Sequence, residues 1–157
     1  MSTRAVPADE PEILILRDPR ESPRKCSLTH LVGLPGVRLV VHHRERRLFA
    51  GGRILLSPDG LELGPQDAGP GLFLVDCSWR RVPTLLAAVD GEPIARRLPP
   101  LVTAYPRRSR QFADPEQGLA SVEALYAALV ILGRPRPELL EGYRWREEFL
   151  AANPQLA

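Results

Sequence analysis

Residues 72–79, which read Leu-Phe-Leu-Val-Asp-Cys-Ser-Trp, decide the fold class of this chain. Four apolar residues that end in a carboxylate are typical of a strand buried on both faces of a parallel sheet. Open α/β folds bind their ligands at the carboxyl edge of such strands. Asp76 is therefore a candidate functional residue. The same residues also fit a structural role, with Asp76 capping the helix predicted near Pro83 and Trp79 covering the core.

Similar apolar runs occur on both sides of this strand. They cover residues 12–16, 37–41, 53–56 and 101–104, and short helices are predicted between them at 27–32 and 82–89. Short apolar strands that alternate with helices predict an α/β layer with a largely parallel sheet.

The composition changes after residue 114. Apolar residues at helical spacing predict a helix over 121–132, with Ser121 as its N-cap and Gly133 at its end. A second helix is predicted over 137–152. We therefore expect a flexible lead at 1–11, an α/β cofactor-binding subdomain at 12–97, and a last strand with a helical C-terminal subdomain at 98–157.

The composition excludes several classes of protein. With 157 residues, 44% of them apolar, the chain is long enough for one folded domain with a core. Two cysteines and three histidines do not supply a disulfide framework or a typical zinc site. Glu123 interrupts the uncharged stretch 118–133, and residues 1–10 lack the apolar run of a signal peptide. We expect a cytoplasmic protein without a metal ion or a membrane segment.

The charge is nearly balanced, at 21 basic against 19 acidic residues, but the basic residues cluster. All of them except Lys25 are arginine, whose planar guanidinium suits phosphates and base edges. Coding bias explains much of this arginine content, whereas the clustering indicates local positive faces. The clusters are Arg44, Arg46 and Arg47; Arg80 and Arg81; Arg96 and Arg97; and Arg107, Arg108 and Arg110.

Other reactive side chains are better explained by structural roles. His42 and His43 are neighbours on a predicted strand, so they point to opposite faces and do not form a joint site. Cys26 and Cys77 have no nearby base in the sequence and are expected to be ordinary buried thiols. Glu123 lies in the first turn of its helix, where an acid favours the helix dipole for structural reasons alone.

Six short motifs occur in a fixed order along residues 12–155. In this order they resemble the aminocarboxypropyltransferases of small-subunit rRNA maturation. The motifs are Lys25-Cys26-Ser27, Leu56-Ser57-Pro58, Asp76-Cys77-Ser78-Trp79, Leu98-Pro99-Pro100-Leu101-Val102, Val122-Glu123-Ala124, and the ending formed by Trp145, Phe149, Leu150 and Asn153.

Two positions depart from the pattern of that family. Residues 105–110, Tyr-Pro-Arg-Arg-Ser-Arg, replace an Asn-Pro-x-Asn-Tyr-Gly loop, and Ala120 replaces the usual Ser or Thr. An arginine-bearing loop ahead of the Leu119 helix is closer to the related DTW-domain enzymes, which modify uridine in tRNA. The departures therefore concern the RNA substrate more than the chemistry.

The resemblance implies a SPOUT-like fold, in which a parallel five-stranded sheet and an all-helical C-terminal part form a deep trefoil knot that binds S-adenosylmethionine. Leu56, Val75 and Leu98 would frame the adenine. Ser27 would meet the aminocarboxypropyl end, while Trp79 and Val82 would crowd the sulfonium methyl. Leu119 would be a further cofactor contact, and Asp76 would be a polar contact and the candidate base. The implied RNA-binding residues are Arg24, Lys25, Arg107, Arg108 and Arg110.

The implied activity is S-adenosylmethionine-dependent transfer of the 3-amino-3-carboxypropyl group to a uridine-type base in RNA, with rRNA favoured over tRNA. The chain is expected to act as a monomer in ribosome biogenesis. Three alternatives stay open: a tRNA uridine aminocarboxypropyltransferase, an RNA methyltransferase on the same knot, and a non-catalytic RNA-binding assembly factor.

Overall fold

The computed structural model describes residues 11–21, 28–67, 71–105 and 119–156. The strands are β1 Ile13–Arg17, β2 Val37–Val41, β3 Leu48–Phe49, β4 Ile54–Glu62, β5 Leu72–Asp76, β6 Val89–Asp90 and β7 Ile94–Arg97. The α-helices are α1 Val82–Leu86, α2 Ser121–Ile131 and α3 Arg146–Ala152. Short 3-10 helices cover Thr29–Leu31, Pro65–Asp67, Trp79–Arg81, Pro137–Leu140 and Pro154–Leu156.

Five strands form one sheet in the order β2-β1-β5-β4-β7, and every neighbouring pair in it is parallel. The prediction of an α/β layer with a largely parallel sheet is thus confirmed. Strands β3 and β6 form a separate parallel pair. Because all five strands of the main sheet run the same way, their carboxyl ends meet at one edge.

Both faces of the main sheet are covered, which explains the unbroken apolar runs. Along β5, Leu72 and Leu74 pack into the core that contains α2, whereas Phe73 packs on the opposite face against Leu85 of α1. All five residues of β1 are buried. A strand covered on both faces has no solvent-facing position that would select a polar residue.

Strand β4 is interrupted in its pairing with β7. Leu56 and Leu61 both lie opposite Arg96, so residues 57–60 loop out of the ladder. Arg97 Nη1 donates a hydrogen bond of 3.0 Å to the carbonyl of Gly60, which fixes the loop against β7. Gly60 approaches the backbone of Ala95 so closely that a Cβ at this position would overlap it. The Leu56-Ser57-Pro58 motif therefore leads into a bulge within a longer strand.

The predicted strand at 101–104 is wrong, because the last strand of the sheet is β7. The backbone of this segment is hydrogen-bonded by side chains instead of a neighbouring strand. Val102 pairs with Asn153, and the N–H of Ala104 donates to Glu123 Oε2 at 3.0 Å. An apolar run alone does not reveal which partner satisfies its backbone groups.

Three predicted helices are shorter than expected. The helix predicted over 82–89 ends at Leu86, because Val89 pairs with Leu48 in the small sheet. The helix predicted over 137–152 is divided into a 3-10 helix and α3, with Gly142 at φ +84° between them. Of the helix predicted over 27–32, the structure has a 3-10 helix at Thr29–Leu31, and residue 27 lies outside the described residues.

Helix α2 ends before Gly133 as predicted, but its N-cap lies one residue before the predicted N-cap. Gly133 has φ +78°, and the N–H groups of Gly133 and Arg134 donate to the carbonyls of Val130 and Leu129. This pattern is a Schellman motif. The N-cap is Ala120 and not Ser121, which is already the first helical residue.

We expect Ala120→Ser to stabilise the chain. A serine hydroxyl at this position would accept a hydrogen bond from the Glu123 N–H and complete a capping box, since Glu123 Oε1 already accepts from the Ala120 N–H at 2.9 Å. The free energy of unfolding should rise by about 1 kcal/mol in urea denaturation. Ala151→Ser, at an exposed position in α3, is the control and should change it much less. A destabilised Ala120→Ser variant would contradict this assignment of the cap.

Candidate active site at the carboxyl edge of the sheet

A cleft of about 510 Å³ opens where β4, β7 and α2 meet. Its walls are mainly leucine and proline side chains, with one charged residue, Arg97, among them. The lining residues are Leu56, Ser57, Pro58, Leu74, Arg97, Leu98, Pro99, Pro100, Leu101, Leu119 and Ala124. The bulge of β4 supplies Ser57 and Pro58, so the interruption of the strand shapes one wall.

Three of the predicted cofactor residues, Leu56, Leu98 and Leu119, line this cleft. They come from three separate parts of the chain and are brought together by the sheet and the start of α2. Val75 is not among the lining residues, and its side chain packs against the core on the opposite face of the sheet. This difference follows from the alternation of side chains along β5, because Leu74 faces the cleft and Val75 is the next residue.

Asp76 ends β5 beside the cleft, and its side chain is only 12% exposed. The hydroxyl of Ser121 donates to Asp76 Oδ1 at 3.2 Å, and Arg17 Nε donates to Oδ2 at 3.4 Å. The alternative role of Asp76 as a helix cap is wrong, since neither the Trp79–Arg81 helix nor α1 has a side-chain cap hydrogen bond. A carboxylate held from two sides is preorganised for a contact at this edge.

Sequence reasoning missed Arg17 and Ser121 as partners of this carboxylate. Arg17 ends β1 and lies directly opposite Asp76 in the parallel register. In the sequence, one apolar run ends in Arg17 and another ends in Asp76. These two residues are recognised as partners only when the register of the two strands is known. Ser121 follows Leu119 by two residues, so α2 connects the cleft to Asp76.

A second buried acid lies next to this position. Asp18 is 1% exposed and accepts a hydrogen bond from Arg81 Nε at 2.9 Å. This hydrogen bond from Arg81 holds the pKa of Asp18 below its ordinary value. Burial raises the pKa of Glu21, and the nearby charges of Asp76 and Asp18 add to that effect.

Cys77 lies among these acids and is not a nucleophile at neutral pH. Burial, and then the charges of Asp18, Glu21 and Asp76, raise the pKa of its thiol to about 12. The thiolate is the reactive form of cysteine, so the thiol is almost entirely in the unreactive form. This agrees with the expectation of an ordinary thiol. Cys26 lies outside the described residues.

Trp79 follows Asp76 at the start of the next 3-10 helix and is 49% exposed. The guanidinium carbon of Arg80 lies 5.7 Å from the centre of its ring. Neither Trp79 nor Val82 is among the residues that line the cleft, so their contact with a cofactor stays a prediction. The indole leaves a large exposed aromatic surface three residues after the end of β5.

Six other predicted site residues lie outside the described part of the chain. They are Ser27 in the cofactor set and Arg24, Lys25, Arg107, Arg108 and Arg110 in the RNA-binding set. Among the described residues, no cluster of three or more His, Cys, Asp or Glu side chains has a geometry that could hold a metal ion. No helix in the same part of the chain is long and apolar enough to cross a bilayer.

The histidine pair follows β2 at the edge of the sheet. His42 is half-buried and His43 is exposed, with its Nδ1 accepting a hydrogen bond from the Glu45 N–H at 3.1 Å. The prediction that they lie on a strand is wrong, because β2 ends at Val41, but the two rings do have different environments.

The carboxylate of Glu123 has a larger structural role than the predicted interaction with the helix dipole. It is fully buried and accepts hydrogen bonds from four donors. Two of these donors belong to residues 103 and 104, directly after the cleft wall. The signal available in sequence was an acid at the third position of an otherwise apolar helix, which a dipole effect explains incompletely.

The fold and the cleft define an α/β protein with a largely apolar cleft at the carboxyl edge of a parallel sheet, which is where open α/β folds bind their ligands. Residues 54–157 match the family described as ribosome biogenesis protein, C-terminal. The chain therefore belongs to this family.

Relatives and a solved structure extend this match over most of the chain. The 16S rRNA aminocarboxypropyltransferase of Vulcanisaeta distributa is 34% identical over 151 residues, which cover 91% of this chain and 78% of the relative. The 18S rRNA aminocarboxypropyltransferase of Schizosaccharomyces pombe is 29% identical, over 86% of this chain and 46% of the relative. The structure of the SAM-dependent rRNA:acp-transferase Tsr3 from Vulcanisaeta distributa superposes with a TM-score of 0.71, at 33% identity, over 92% of this chain and 79% of that one.

The Asp18–Arg81 pair predicts an acid-dependent part of the stability. The pKa of Asp18 is lowered in the folded chain, so the pair stabilises the fold above the unfolded pKa and loses this effect as the pH falls through the folded value. Arg81→Ala should lower the free energy of unfolding at neutral pH, because it leaves the buried charge of Asp18 without its partner. Its stability should also fall less than that of the wild type between about pH 5 and pH 2.

Urea denaturation across this pH range measures both effects. Arg47→Ala is the matched control, because it removes a similar ion pair with Asp90 in which the two side chains are 58% and 49% exposed. The control should change stability much less. Equal losses in the two variants at neutral pH would show that burial of Asp18 does not strengthen the pair.

Proposed function

We propose that this chain transfers the 3-amino-3-carboxypropyl group of S-adenosylmethionine to a uridine-type base of small-subunit rRNA. The observation that carries the proposal is the apolar cleft at the carboxyl edge of the sheet, which Ser121 connects to the buried carboxylate of Asp76. Membership of the ribosome biogenesis family and relatives named as rRNA aminocarboxypropyltransferases support this assignment. They favour rRNA over tRNA as the substrate.

The residues present fit S-adenosylmethionine. The cleft volume of about 510 Å³ is within the usual range of small-molecule sites. Leu56, Leu98 and Leu119 offer apolar surface for an adenine ring. Asp76, at the adjacent strand end, offers a negative charge for the positively charged methionine part. An apolar wall next to a carboxylate matches the two chemically different ends of this molecule.

When bound, S-adenosylmethionine supplies a sulfonium with three electrophilic carbons, and the site selects the one that it exposes to the acceptor. In our proposal, Trp79 and Val82 cover the methyl carbon, and the indole face also favours the positive charge. Ser27 holds the aminocarboxypropyl end. Arg17 and Ser121 orient Asp76, which accepts the proton that the ring nitrogen of the uridine loses.

Several finer features belong to the same proposal. We propose a SPOUT-type trefoil knot with an all-helical C-terminal part after residue 98, supported by the structural similarity to the rRNA:acp-transferase. We also propose that the chain acts in the cytoplasm as a monomer without a metal ion. Arg24, Lys25, Arg107, Arg108 and Arg110 form the proposed RNA-binding set, since guanidinium groups bind phosphates well.

The reaction product separates the proposed activity from methyl transfer. Incubation of the chain with S-adenosylmethionine and small-subunit rRNA should release methylthioadenosine, because the aminocarboxypropyl group leaves the sulfur. Mass spectrometry of the small-molecule fraction measures this product, and tRNA serves as the control substrate. Release of S-adenosylhomocysteine would identify a methyltransferase instead. Absence of both products, together with salt-sensitive RNA binding, would favour a non-catalytic assembly factor.

Substitutions should separate cofactor binding from RNA binding. We expect Trp79→Ala to weaken S-adenosylmethionine binding by about tenfold or more in calorimetry, because it removes the cation–π and apolar contacts of the indole. Arg108→Ala should leave that affinity unchanged and weaken RNA binding. Phe49→Ala is the control for loss of an exposed aromatic ring, since Phe49 is 71% exposed and lies on the small sheet. Equal cofactor affinity in wild type and Trp79→Ala would refute the assignment of Trp79.

A further inference from the structure

One wall of the cleft is formed by a segment that no strand supports. We call residues 98–104 the wall segment, and its first four residues line the cleft. It follows β7 but is outside the sheet, so no ladder of backbone hydrogen bonds fixes its position. Pro99 and Pro100 restrict the first half by their fixed φ angles. The second half needs other partners.

Asn153 takes the place of a neighbouring strand. Its Oδ1 accepts a hydrogen bond from the Val102 N–H at 2.8 Å, and its Nδ2 donates to the Val102 carbonyl at 2.7 Å. The same Nδ2 donates to the carbonyl of Phe149 at 2.9 Å, which ties the side chain to α3. Asn153 is fully buried. One amide group therefore satisfies both backbone groups of Val102, as a paired strand would.

Glu123 holds the next two residues. Its Oε1 accepts from Thr103 Oγ1 at 2.6 Å, and its Oε2 accepts from the Ala104 N–H at 3.0 Å. Its remaining hydrogen bonds, from the Ala120 N–H at 2.9 Å and the Tyr143 hydroxyl at 3.0 Å, fix the carboxylate relative to α2 and the C-terminal part. Burial raises the pKa of Tyr143, and the charge of Glu123 and their hydrogen bond add to it, so this hydroxyl stays a donor.

Tyr105, the residue directly after the wall segment, contacts both the segment and the same C-terminal region. The N–H of Tyr105 donates to Thr103 Oγ1 at 3.1 Å, and the ring of Tyr105 packs edge-on against Trp145 with 5.2 Å between centroids. Trp145 and Asn153 both belong to the ending motif of the sequence. The motif residues thus converge on the wall segment and not on the cleft itself, since neither is among the lining residues.

We propose that Asn153 and Glu123 are positioning residues for S-adenosylmethionine: they hold the wall segment in the conformation that binds the adenine and thereby set the affinity without touching the ligand. The inference rests on the proposed function, because it takes the cleft as the adenine site. A wall segment released from these hydrogen bonds samples other conformations. The apparent affinity for S-adenosylmethionine then falls in proportion to the fraction of molecules whose wall segment keeps the binding conformation.

The experiment measures ligand affinity and local order in the same set of variants. Titration calorimetry with S-adenosylmethionine, well below the lowest melting temperature, is run on the wild type, Asn153→Ala, Glu123→Gln and Leu14→Ala. Leu14 is buried on the opposite face of the sheet, in β1 and outside the elements that carry Trp79 and Val82, so Leu14→Ala lowers global stability without touching the wall segment or these two residues. Hydrogen exchange of the amides of residues 102 and 104, followed by NMR, reports the segment directly.

We expect Asn153→Ala to weaken S-adenosylmethionine binding roughly tenfold, as expected for the loss of a pair of hydrogen bonds, and to accelerate exchange at Val102. Glu123→Gln should weaken binding in the same direction and accelerate exchange at Ala104. If Asn153→Ala does not fold, Glu123→Gln tests the proposal in its place. Leu14→Ala should keep the wild-type affinity within about twofold while losing at least as much stability.

Two outcomes would overturn the inference. The first is a wild-type affinity in Asn153→Ala and Glu123→Gln despite faster exchange at residues 102 and 104. The second is an equal loss of affinity in Leu14→Ala, which would show that global stability alone sets binding. Failure of the proposed function has a different signature, because the wild type itself would then not bind S-adenosylmethionine.

Discussion

The buried carboxylate of Glu123 is the constraint on which the rest of the site depends. A charge with no exposure to solvent is tolerated in a protein only when hydrogen bonds surround it. The four donors come from residues 103 and 104, from the start of α2, and from Tyr143. Satisfying one acid therefore fixes three parts of the chain relative to one another. The cleft lies next to this junction, so its shape follows from it.

The central strands β1 and β5 of the main sheet could be predicted from the sequence because they are covered on both faces, and the edge strand β2 could be predicted from its apolar composition although it is partly exposed. The runs that became β1, β2 and β5 consist mostly of apolar residues, and their bounds agree with the prediction to within a residue. The run at 101–104 has the same composition but is not a strand. What distinguishes it is the pairing of Val102 with Asn153, about fifty residues away in sequence. Local patterns do not contain information about such a partner.

The candidate site was predicted in part, for a related reason. Leu56, Leu98 and Leu119 were named through the resemblance of short motifs to a family, and the fold brings them into one cleft. The partners of Asp76 were missed, because Arg17 is placed by the register of two strands and Ser121 by the position of a helix. Motifs thus identified which residues matter, whereas tertiary structure was needed to show which residues support them.

The bulge in β4 forms part of one cleft wall without belonging to the hydrogen-bonded ladder of the sheet. The strand leaves its partner at Arg96 and returns to that same residue, so the ladder continues in register on either side of residues 57–60. A loop that leaves and re-enters at one rung can change at Ser57 and Pro58 without shifting the strands around it, whereas Gly60 is fixed by its close approach to the backbone of Ala95. Ser57 and Pro58 lie in this loop and line the cleft. Substitutions at these two positions can therefore change the shape of the cleft while the paired strands of the sheet keep their positions.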